Sequence, residues 1–408
     1  MKILVLAPDI PATSRMPGSP RLFNLCRELS RDHEILLVTH LSSQERYQAF
    51  LTDPTTAKVF TKIELLPEPP AISWWGQQWH RLHLAAHFET RYRHVGYHRL
   101  ISRRIRKLCS EESVDLIYVD LLAMTQYVGP ALEIPAIVDL HDSMTLMARR
   151  LLDIEHSLRG RLSLQAHLFR IQKLEGSLGK TFELVLTNST VDENVIRELS
   201  HVTNTMTITN GVDMQYFSPD ETPVQGDRVV FTGVMGYAPN EDAALYFAQE
   251  IFPLIKAKRP RSEFWIVGSD PSSKIQSLTG EGGIHVTGKV DDVRPFVRSA
   301  AVFVSPLRIG SGVKNKILAA MAMRKATVAT SLSIDGLDLA DDREVLLADD
   351  PQSFADKVLL VLSDRDVAQR LGDNGLARVR SQYSWGALGK SLESAMQSVT
   401  VSRNGRST

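Results

Sequence analysis

The stretch that decides the fold is Ser305-Pro-Leu-Arg-Ile-Gly-Ser-Gly-Val-Lys-Asn-Lys-Ile-Leu-Ala-Ala-Met-Ala322. The segment that leads into it, 300–305, is short, apolar and partly β-branched, which is typical of a strand buried on both faces. Its last part, from Asn315 to Ala322, consists mostly of Ala, Leu, Met and Lys, which favour a helix. A strand, a glycine-containing loop and a helix in this order predict a parallel sheet covered by helices.

The loop within this stretch has the properties of an anion site. Gly310 and Gly312 allow the backbone to approach a ligand closely, and the N–H groups at the helix start point outward with the positive end of the helix dipole. Arg308, Lys314 and Lys316 add positive charges beside that end. We therefore predict a phosphate site, with an ordinary strand-to-helix turn and solvated lysines as the alternative.

Length and composition narrow the class of protein. A chain of 408 residues suits two domains, each large enough to bury its own core. Lys plus Arg and Asp plus Glu both total 47, so no global field favours nucleic acid. Cys26 and Cys109 are too few for a disulfide framework or a zinc site, which suits the cytoplasm. The apolar start is too short for a signal peptide, and no run of about 18 apolar residues predicts a membrane span.

Apolar runs with the length of strands alternate with helical patterns in both halves of the chain, which indicates two parallel sheets. In the first half the predicted strands are 2–7, 34–39, 116–119, 136–139 and 184–187. In the second half they are 229–232, 263–267, 284–287, 302–305, 326–329 and 345–348.

Two Rossmann-like domains with a cleft between them follow from this pattern. The segment 218–227 is rich in turn formers and charge and is interpreted as the linker. The N-terminal domain then spans 1–217 and the C-terminal domain 228–385, followed by a helix and tail at 386–408. The closely spaced glycine triplet of dinucleotide-binding proteins is missing after the first strand, which disfavours a nicotinamide dehydrogenase.

An insertion at about 71–107 combines tryptophans with cations. It contains Trp74, Trp75 and Trp79, then Arg81, Arg91, Arg93, Arg99, Arg103, Arg104, Arg106 and Lys107. Aromatic rings beside cations suit a helix that lies on an anionic membrane surface. A solvated cationic helix beside a tryptophan core is the equal alternative. Nucleic acid ranks third, because no known nucleic-acid module is present.

The first domain offers two candidate contacts for a ligand. His141 and Asp142 follow a buried strand at the edge where ligands bind in such sheets, and a histidine there can bind a substrate hydroxyl or exchange a proton. A structural loop residue is the alternative for His141. Gly18 and Ser19 precede the helical run 22–29 and offer a second anion contact, with a simple helix cap as the alternative.

The second domain adds four positions at expected strand ends. Gly233 lies in the loop after the first strand, and Asn240 is the predicted cap of the helix that follows. Gly268 would let the backbone pass close to a nucleoside, and the backbone of Val290 could meet a base.

Several short motifs in a fixed order resemble the retaining GT-B glycosyltransferases of family 4. The resemblance covers nearly the whole chain, is loosest between 41 and 114, and is closest to bacterial exopolysaccharide-type sugar transferases, in which Gly-Tyr-x-Pro-Asn and Asn-Lys-x-Leu recur. The motifs are Asn210-Gly-Val-Asp213, Phe217-Ser-Pro219, Phe231-Thr-Gly233, Ile266-Val-Gly268, Gly288-x-Val-x-Asp292, Ser305-Pro-Leu307 and Lys316-Ile-Leu-x-Ala-Met-Ala322.

The resemblance implies an α/β GT-B fold with two Rossmann-like domains whose parallel sheets face each other across a cleft. It implies that the C-terminal domain binds a nucleotide-sugar donor, UDP- or GDP-linked, and that the N-terminal domain binds a lipid-linked or polysaccharide acceptor. A hexose would be transferred with retention at the anomeric carbon and without an essential metal or other cofactor. The expected location is the cytoplasm, with a peripheral position on the inner face of the plasma membrane.

Roles carried over from the family converge on the opening stretch. Lys316 would pair the donor diphosphate, and His141 would meet the donor sugar near the reacting centre. Fixed positive groups there would lower the barrier as negative charge grows on the leaving diphosphate. The remaining predicted donor contacts are Gly18, Ser19, Gly233, Asn240, Gly268, Val290, Arg308, Ser311, Gly312, Val313, Lys314 and Asn315.

The chain departs from the family at two places. The family usually has two glutamates eight residues apart, where this chain has Ser311 and Ala319, and its basic pair after the first C-terminal strand is missing. A catalytically degenerate GT-B protein that binds a nucleotide sugar or a partner glycosyltransferase is therefore the second hypothesis. A hydrolase or epimerase that uses Asp9, Asp139 or Asp142 is the third.

Overall fold

The structure is a computed structural model that describes residues 1–11, 20–41, 43–67, 95–129, 132–155, 157–200, 204–310 and 313–404. The chain divides into two compact units, Met1–Ile208 with Gly389–Thr408, and Thr209–Leu388. In this division the segment 218–227 lies inside the second unit. The last helix begins in the second unit and continues into the first.

Within the described residues, the first unit has a sheet of seven parallel strands in the order β3-β2-β1-β4-β5-β6-β7. Those strands are β1 (Lys2–Ala7), β2 (Glu34–Thr39), β3 (Lys62–Leu65), β4 (Leu116–Asp120), β5 (Ala136–Asp139), β6 (Leu184–Thr187) and β7 (Thr205–Thr207). The helices are α1 (Arg21–Leu29), α2 (Gln44–Thr52), α3 (Thr56–Val59), α4 (Val95–Glu112), α5 (Met144–Ile154), α6 (Leu158–Glu175) and α7 (Thr190–Ser200).

The second unit, where it is described, has a sheet of six parallel strands in the order β10-β9-β8-β11-β12-β13. The strands are β8 (Arg228–Thr232), β9 (Glu263–Val267), β10 (Ile284–Val286), β11 (Val302–Ser305), β12 (Thr327–Ala329) and β13 (Leu346–Leu347). The helices are α8 (Ala238–Tyr246), α9 (Phe252–Lys258), α10 (Ser273–Gln276), α11 (Arg294–Arg298), α12 (Asn315–Ala322), α13 (Pro351–Ser363), α14 (Arg365–Arg378) and α15 (Trp385–Asn404).

The central strands form because their sequences are apolar on both faces. Strand β1 is fully buried from Ile3 to Ala7, and β11 is buried along its whole length. Such strands need helices on both sides, which the alternation along the chain supplies. The two strands that sequence analysis missed, β3 and β7, are short edge strands whose residues are mostly half-buried, so they carry no continuous apolar signal.

In each sheet the strand order reverses beside the first strand of the unit, between β1 and β4 and between β8 and β11. Ligands of open α/β sheets bind outside the carboxyl ends of the strands at such a point. The loop after β8 and the loop between β11 and α12 flank the reversal in the second sheet. The fold thus brings the opening stretch to the edge where the sequence predicts a ligand.

Only part of the insertion at about 71–107 belongs to the described residues. The tryptophans and Arg81, Arg91 and Arg93 lie outside them. The remainder forms α4, in which Ile101, Ile105 and Leu108 are buried while the basic side chains are exposed. Arg104 pairs with Glu64 at 2.6 Å, and Lys107 lies 3.4 Å from Glu111. This helix has the geometry of a solvated cationic face, and membrane contact by the tryptophan segment stays a prediction.

The described part of the chain contains no helix that is both long enough and apolar enough to cross a membrane.

The ends of β8 and β9 approach each other so closely that a glycine is required. Gly268 has φ +145°, and a Cβ placed there would lie 1.8 Å from the carbonyl oxygen of Gly233. The amide of Gly233 also donates to the carbonyl oxygen of Val267 at 3.0 Å. Gly268 therefore has a structural function besides the predicted approach to a nucleoside.

We expect Gly268→Ala to lower the free energy of unfolding by at least about 1–3 kcal/mol, because the new Cβ meets backbone in a conformation that L-residues rarely adopt. Chemical denaturation of the purified variant measures the loss. Gly129→Ala is the matched control, since a Cβ at Gly129 contacts nothing within 4 Å and its φ is not positive. Equal stability of the two variants would contradict the steric argument.

Candidate functional site

The candidate site in the second unit is built on α12, which begins and ends where the sequence predicts. Lys314 occupies the N-cap position of this helix, and a lysine side chain has no acceptor with which to cap the first N–H groups. The positive end of the helix therefore lies beside two cationic residues, Lys314 and Lys316. Ser311 and Gly312 lie outside the described residues. Val313 and Lys314 are half-buried, and Asn315 is exposed.

The side chain of Lys316 turns inward toward the carboxyl end of β8. Its Nζ donates to Oδ1 of Asn240 at 2.6 Å and lies 4.3 Å from the ring centroid of Phe231. Burial, followed by the charge of Lys314, lowers the pKa of Lys316 to about 7. Both contacts are uncharged, so this amine can take up a proton and pair with an anion.

Asn240 holds Lys316 and is not the helix cap that the sequence predicts. The N-cap of α8 is Tyr237, and Asn240 is the third residue of the helix. Its Nδ2 donates to the carbonyl oxygen of Val234 at 2.9 Å, so the amide joins the loop after β8 to Lys316. The cap prediction was wrong because a proline before Asn240 moves the helix start back toward Tyr237.

Gly233 leaves the room in which this pair forms. A Cβ at this position would lie 2.8 Å from Nδ2 of Asn240 and 3.0 Å from Nζ of Lys316. A side chain would therefore displace the amine or its partner. Gly233, which the sequence predicts as a ligand contact, is thus also required for steric reasons, because it leaves the space that Lys316 and Asn240 occupy.

Arg308 and Val290 have structural partners of their own. The guanidinium of Arg308 contacts both carboxylate oxygens of Asp242, at 2.7 and 3.1 Å, and lies 4.1 Å above the ring of Tyr246. Asp242 thus balances much of the charge that the sequence assigns to phosphate binding. The side chain of Val290 packs against a cluster that contains Phe303, and contact of its backbone with a base stays a prediction.

Apolar residues surround Ala319, the position at which the resemblance implies a ribose-binding glutamate. Ala319 is half-buried and packs against the cluster of Val212, Ile317, Met321 and Tyr383. A carboxylate at position 319 would therefore lie in a largely hydrophobic environment.

The first unit has a separate polar cluster at the carboxyl ends of β4 and β5. Asp139 is fully buried and accepts from Arg21 at 2.9 and 3.1 Å and from the Tyr118 hydroxyl at 2.6 Å. Burial is the largest single influence and raises the pKa of Asp139, but the charges of Arg21 and His141 and the hydrogen bonds from Arg21 and Tyr118 together outweigh it, so the pKa falls to about 2. This carboxylate stays ionised and fully bonded, which makes it unsuited to the acid-base work of the hydrolase hypothesis.

His141 lies directly above this ion pair and is held by a second carboxylate. Its Nε2 is 2.8 Å from Oδ1 of Asp120, and its amide donates to Asp139 at 3.2 Å. Strand register places Asp120 opposite Asp139. Although burial lowers the pKa of His141, the two carboxylates raise it above the ordinary value. His141 has a backbone φ of +63°, which lies in the left-handed region that non-glycine residues rarely adopt.

The sequence predicts His141 but not Asp120, which holds its ring, nor Arg21 and Tyr118, which hold Asp139. One signal was available: β4 and β5 are both apolar runs that end in Asp, and adjacent parallel strands bring such ends together. The other predicted carboxylates lie apart from this function. Asp142 is exposed, and Asp9 pairs with Arg46 at 3.1 Å. Gly18 and Ser19 lie outside the described residues.

We expect Asp120→Asn to lower the pKa of His141, because the amide keeps the hydrogen bond but removes the negative charge that favours the imidazolium. Titration of the histidine resonances by NMR measures the change. Asp142→Asn is the matched control, since this carboxylate is adjacent in sequence but exposed, and the charged groups that shift the pKa of His141 are Asp139, Asp120 and Arg21. A pKa that stays unchanged in Asp120→Asn would show that Asp120 does not govern the charge of His141.

Comparison with known proteins bears on the second unit and on the fold. Residues 226–364 match the family model described as Glycosyl transferases group 1. The chain is 21% identical over 178 residues to a Klebsiella pneumoniae protein described as an uncharacterized 44.6 kDa protein in the cps region. That match spans 42% of this chain and 46% of the Klebsiella protein, so less than half of either is covered.

Three solved structures match almost the full length of the chain. Sucrose-phosphate synthase from Thermosynechococcus elongatus is 17% identical with a TM-score of 0.66, covering 98% of this chain and 99% of its own. Anabaena HepE in complex with UDP is 15% identical with a TM-score of 0.65, covering 98% and 100%. Staphylococcus aureus TarM is 12% identical with a TM-score of 0.64, covering 98% and 99%. The chain has the α/β GT-B fold, with two Rossmann-like domains, as the sequence predicts.

Proposed function

We propose that this protein is a retaining glycosyltransferase of family 4 that moves a hexose from a nucleotide-diphosphate sugar to a lipid-linked or polysaccharide acceptor. One observation carries the proposal. The amine of Lys316 lies at the strand-order reversal of the second sheet, beside the start of α12, with uncharged contacts at Asn240 and Phe231. A diphosphate is the ligand that this arrangement suits best.

The site favours the transition state of sugar transfer for an electrostatic reason. As the glycosidic bond breaks, negative charge accumulates on the leaving diphosphate, UDP or GDP. An ammonium on Lys316 and the N–H groups at the start of α12 would meet that charge in a partly desolvated setting, where such contacts are stronger than in water. In this proposal Lys316 and the helix end supply the positive charge, and no metal ion is required.

His141 would act on the donor sugar from the first unit. Its Nε2 is engaged by Asp120, which leaves Nδ1 to hydrogen-bond a sugar hydroxyl as an acceptor when the ring is neutral and as a donor when it is protonated. Asp139 holds the backbone amide of the same residue. Asp120 and Asp139 are thus proposed as positioning residues for the imidazole.

The structural neighbours support a nucleotide-sugar donor. Structures of HepE are described as complexes with UDP and with UDP-glucose, and the TarM structure as a complex that includes UDP. The cps-region relative from Klebsiella fits a place in exopolysaccharide biosynthesis. We propose a cytoplasmic protein, peripheral on the inner face of the plasma membrane, where a lipid-linked acceptor would be accessible.

A specific observation favours a second candidate, a protein that binds a nucleotide sugar or a partner glycosyltransferase without catalysis. Ala319 stands where the family's ribose-binding glutamate is expected, and it packs against apolar residues. Measuring binding and turnover on the same preparation separates the two. Binding of a donor without transfer or hydrolysis of it would favour this candidate.

Lys316→Ala tests the proposed function directly. We expect the wild-type protein to be stabilised against thermal unfolding by one member of a panel of UDP- and GDP-sugars, because a ligand that binds only the folded state raises its melting temperature. Loss of the amine should abolish that shift and reduce turnover of the donor by roughly a hundredfold or more.

Lys274→Ala is the matched control for this experiment, since Lys274 is an exposed lysine of the same unit. It should retain both the shift and the turnover. Circular dichroism should show both variants folded. Normal turnover in Lys316→Ala would overturn the assignment of this amine to the diphosphate.

Donor binding should also depend on pH. The pKa of Lys316 is about 7 without ligand, and the diphosphate binds the protonated amine, so affinity should be constant well below pH 7. Above pH 7 it should fall, approaching roughly tenfold per pH unit, because each binding event must first protonate the amine. Isothermal titration calorimetry in two buffers of different ionisation enthalpy measures the proton taken up.

Lys316→Arg supplies the comparison for the pH experiment. A guanidinium remains protonated throughout this range, so whatever affinity the variant keeps should no longer change with pH. A wild-type affinity that is flat between pH 7 and 9 would contradict the proposed proton uptake by Lys316.

A further inference from the structure

Helix α6 (Leu158–Glu175) displays large apolar side chains to solvent. Leu158 is 81% exposed, Leu162 is 67% exposed and Phe169 is 70% exposed. Their spacings of four and seven residues place them on one face of the helix. We call these three residues the apolar stripe. Neither the fold nor the proposed donor chemistry accounts for it.

The neighbouring helix α5 extends this surface. Helix α6 packs along α5, where Met147 and Leu151 are 44% and 43% exposed at a spacing of one turn. Ile171 and Glu175 are the buried residues at the other end of α6. Helix α6 thus has one half-buried side that packs along α5 and one exposed side that carries the apolar stripe, and its fully buried residues lie at the C-terminal end.

Cations outnumber acids along the apolar stripe, and the acids next to the segment are Glu155 before it and Glu175 after it. The segment 158–174 contains Arg159, Arg161, Arg170 and Lys173 and no Asp or Glu. Arg161 donates to the carbonyl oxygens of Leu152 and Glu155, at 3.0 and 3.1 Å, and such contacts leave its charge intact. Helix α4 differs in degree, because there Ile101, Ile105 and Leu108 are buried and Leu100, at 53% exposed, is the single large apolar side chain that the described part of the helix leaves exposed.

The C-terminal end of α6 and the N-terminal end of α5 meet close to His141 in the chain; we call this junction the base of the helical pair. Glu175 accepts from the backbone amides of Met144 and Thr145, at 2.7 and 3.2 Å, so the end of α6 is pinned to the start of α5. Met144 follows His141 by three residues. At 1.5 Å per residue, Phe169 lies about 9 Å and Leu158 about 25 Å along the helix from Glu175.

We propose that the apolar stripe docks the first unit on an anionic lipid surface. Leu158, Leu162 and Phe169 would enter the boundary between headgroups and acyl chains, while the flanking arginines and Lys173 would contact lipid phosphates. Two copies of the protein packed stripe to stripe would bring these cations together, which disfavours self-association as the occupant. The charge of the surface complements anionic lipid.

The placement of the stripe connects it to the acceptor. A membrane that contacts α6 lies on the same helical pair whose base adjoins His141. A lipid-linked acceptor held in that membrane would lie near this edge of the first sheet. This link to the acceptor rests on the proposed function, whereas lipid binding by the stripe does not.

Flotation of the full-length protein with phospholipid vesicles tests the proposal. We expect binding to phosphatidylcholine vesicles that contain phosphatidylglycerol and little binding to phosphatidylcholine alone. Leu162→Ser with Phe169→Ser should abolish flotation. Arg159→Gln and Lys173→Gln should each lower the partition coefficient by roughly fivefold, the effect of removing one cation from an anionic surface.

Matched controls distinguish an effect of the apolar stripe from the effect of changing any exposed side chain. Val401→Ser alters a side chain that is 71% exposed elsewhere, and Lys274→Gln removes a distant exposed cation, so both should float like the wild type. The stripe variants are solvent-exposed changes and should keep the wild-type melting temperature. Equal binding to neutral vesicles, or unchanged flotation of the stripe variants, would overturn the proposal.

Sedimentation equilibrium without lipid tests the alternative that a second copy of the protein binds the apolar stripe. A wild-type dimer that becomes a monomer on Leu162→Ser with Phe169→Ser would show the stripe to be a self-association surface and would also overturn lipid docking. Donor binding, measured separately by thermal shift, should be unchanged in these variants. Failure of lipid binding with intact donor binding would therefore refute the docking surface alone.

Discussion

Parallel strands buried on both faces are the constraint on which the rest of this structure depends. Strands such as β1 and β11 leave no position for a charged side chain inside the sheets, so polar groups collect where the strands end. In each sheet the strand order reverses beside the first strand of the unit, which opens a place for a ligand there. His141 and Lys316 both lie at such carboxyl ends, one in each unit.

The two units treat buried charge in opposite ways. In the first, Asp139 is matched by Arg21 and Tyr118, and the lowered pKa of Asp139 records a carboxylate whose bonding is complete. In the second, the amine of Lys316 contacts the neutral amide of Asn240 and the ring of Phe231, and burial lowers its pKa to about 7. The first arrangement fixes a structure, while the second is the one that we propose an anion completes.

Two helices of the first unit show that basic composition alone does not identify a docking surface. In α4 the apolar residues Ile101 and Ile105 are buried, so its cations face water and in part pair with acids such as Glu64. In α6 the large apolar residues are themselves exposed beside the cations. The two helices differ in which of their faces packs into the core, and the sequence pattern does not reveal which face that is.

The sequence by itself determined the strand-and-helix alternation, nearly all central strands and helix α12, because apolar periodicity and helix propensity act locally. The roles of Lys316 and His141 come from the resemblance to a family and stay predictions. Tertiary structure alone decided that Asn240 binds Lys316 across 76 positions, that Asp120 orients His141, and that Asp242 engages Arg308. These contacts join distant segments brought together by strand order and register. Local patterns name candidate groups at most, such as the Asp residues that end β4 and β5, and the pairing itself is fixed only when the sheets form.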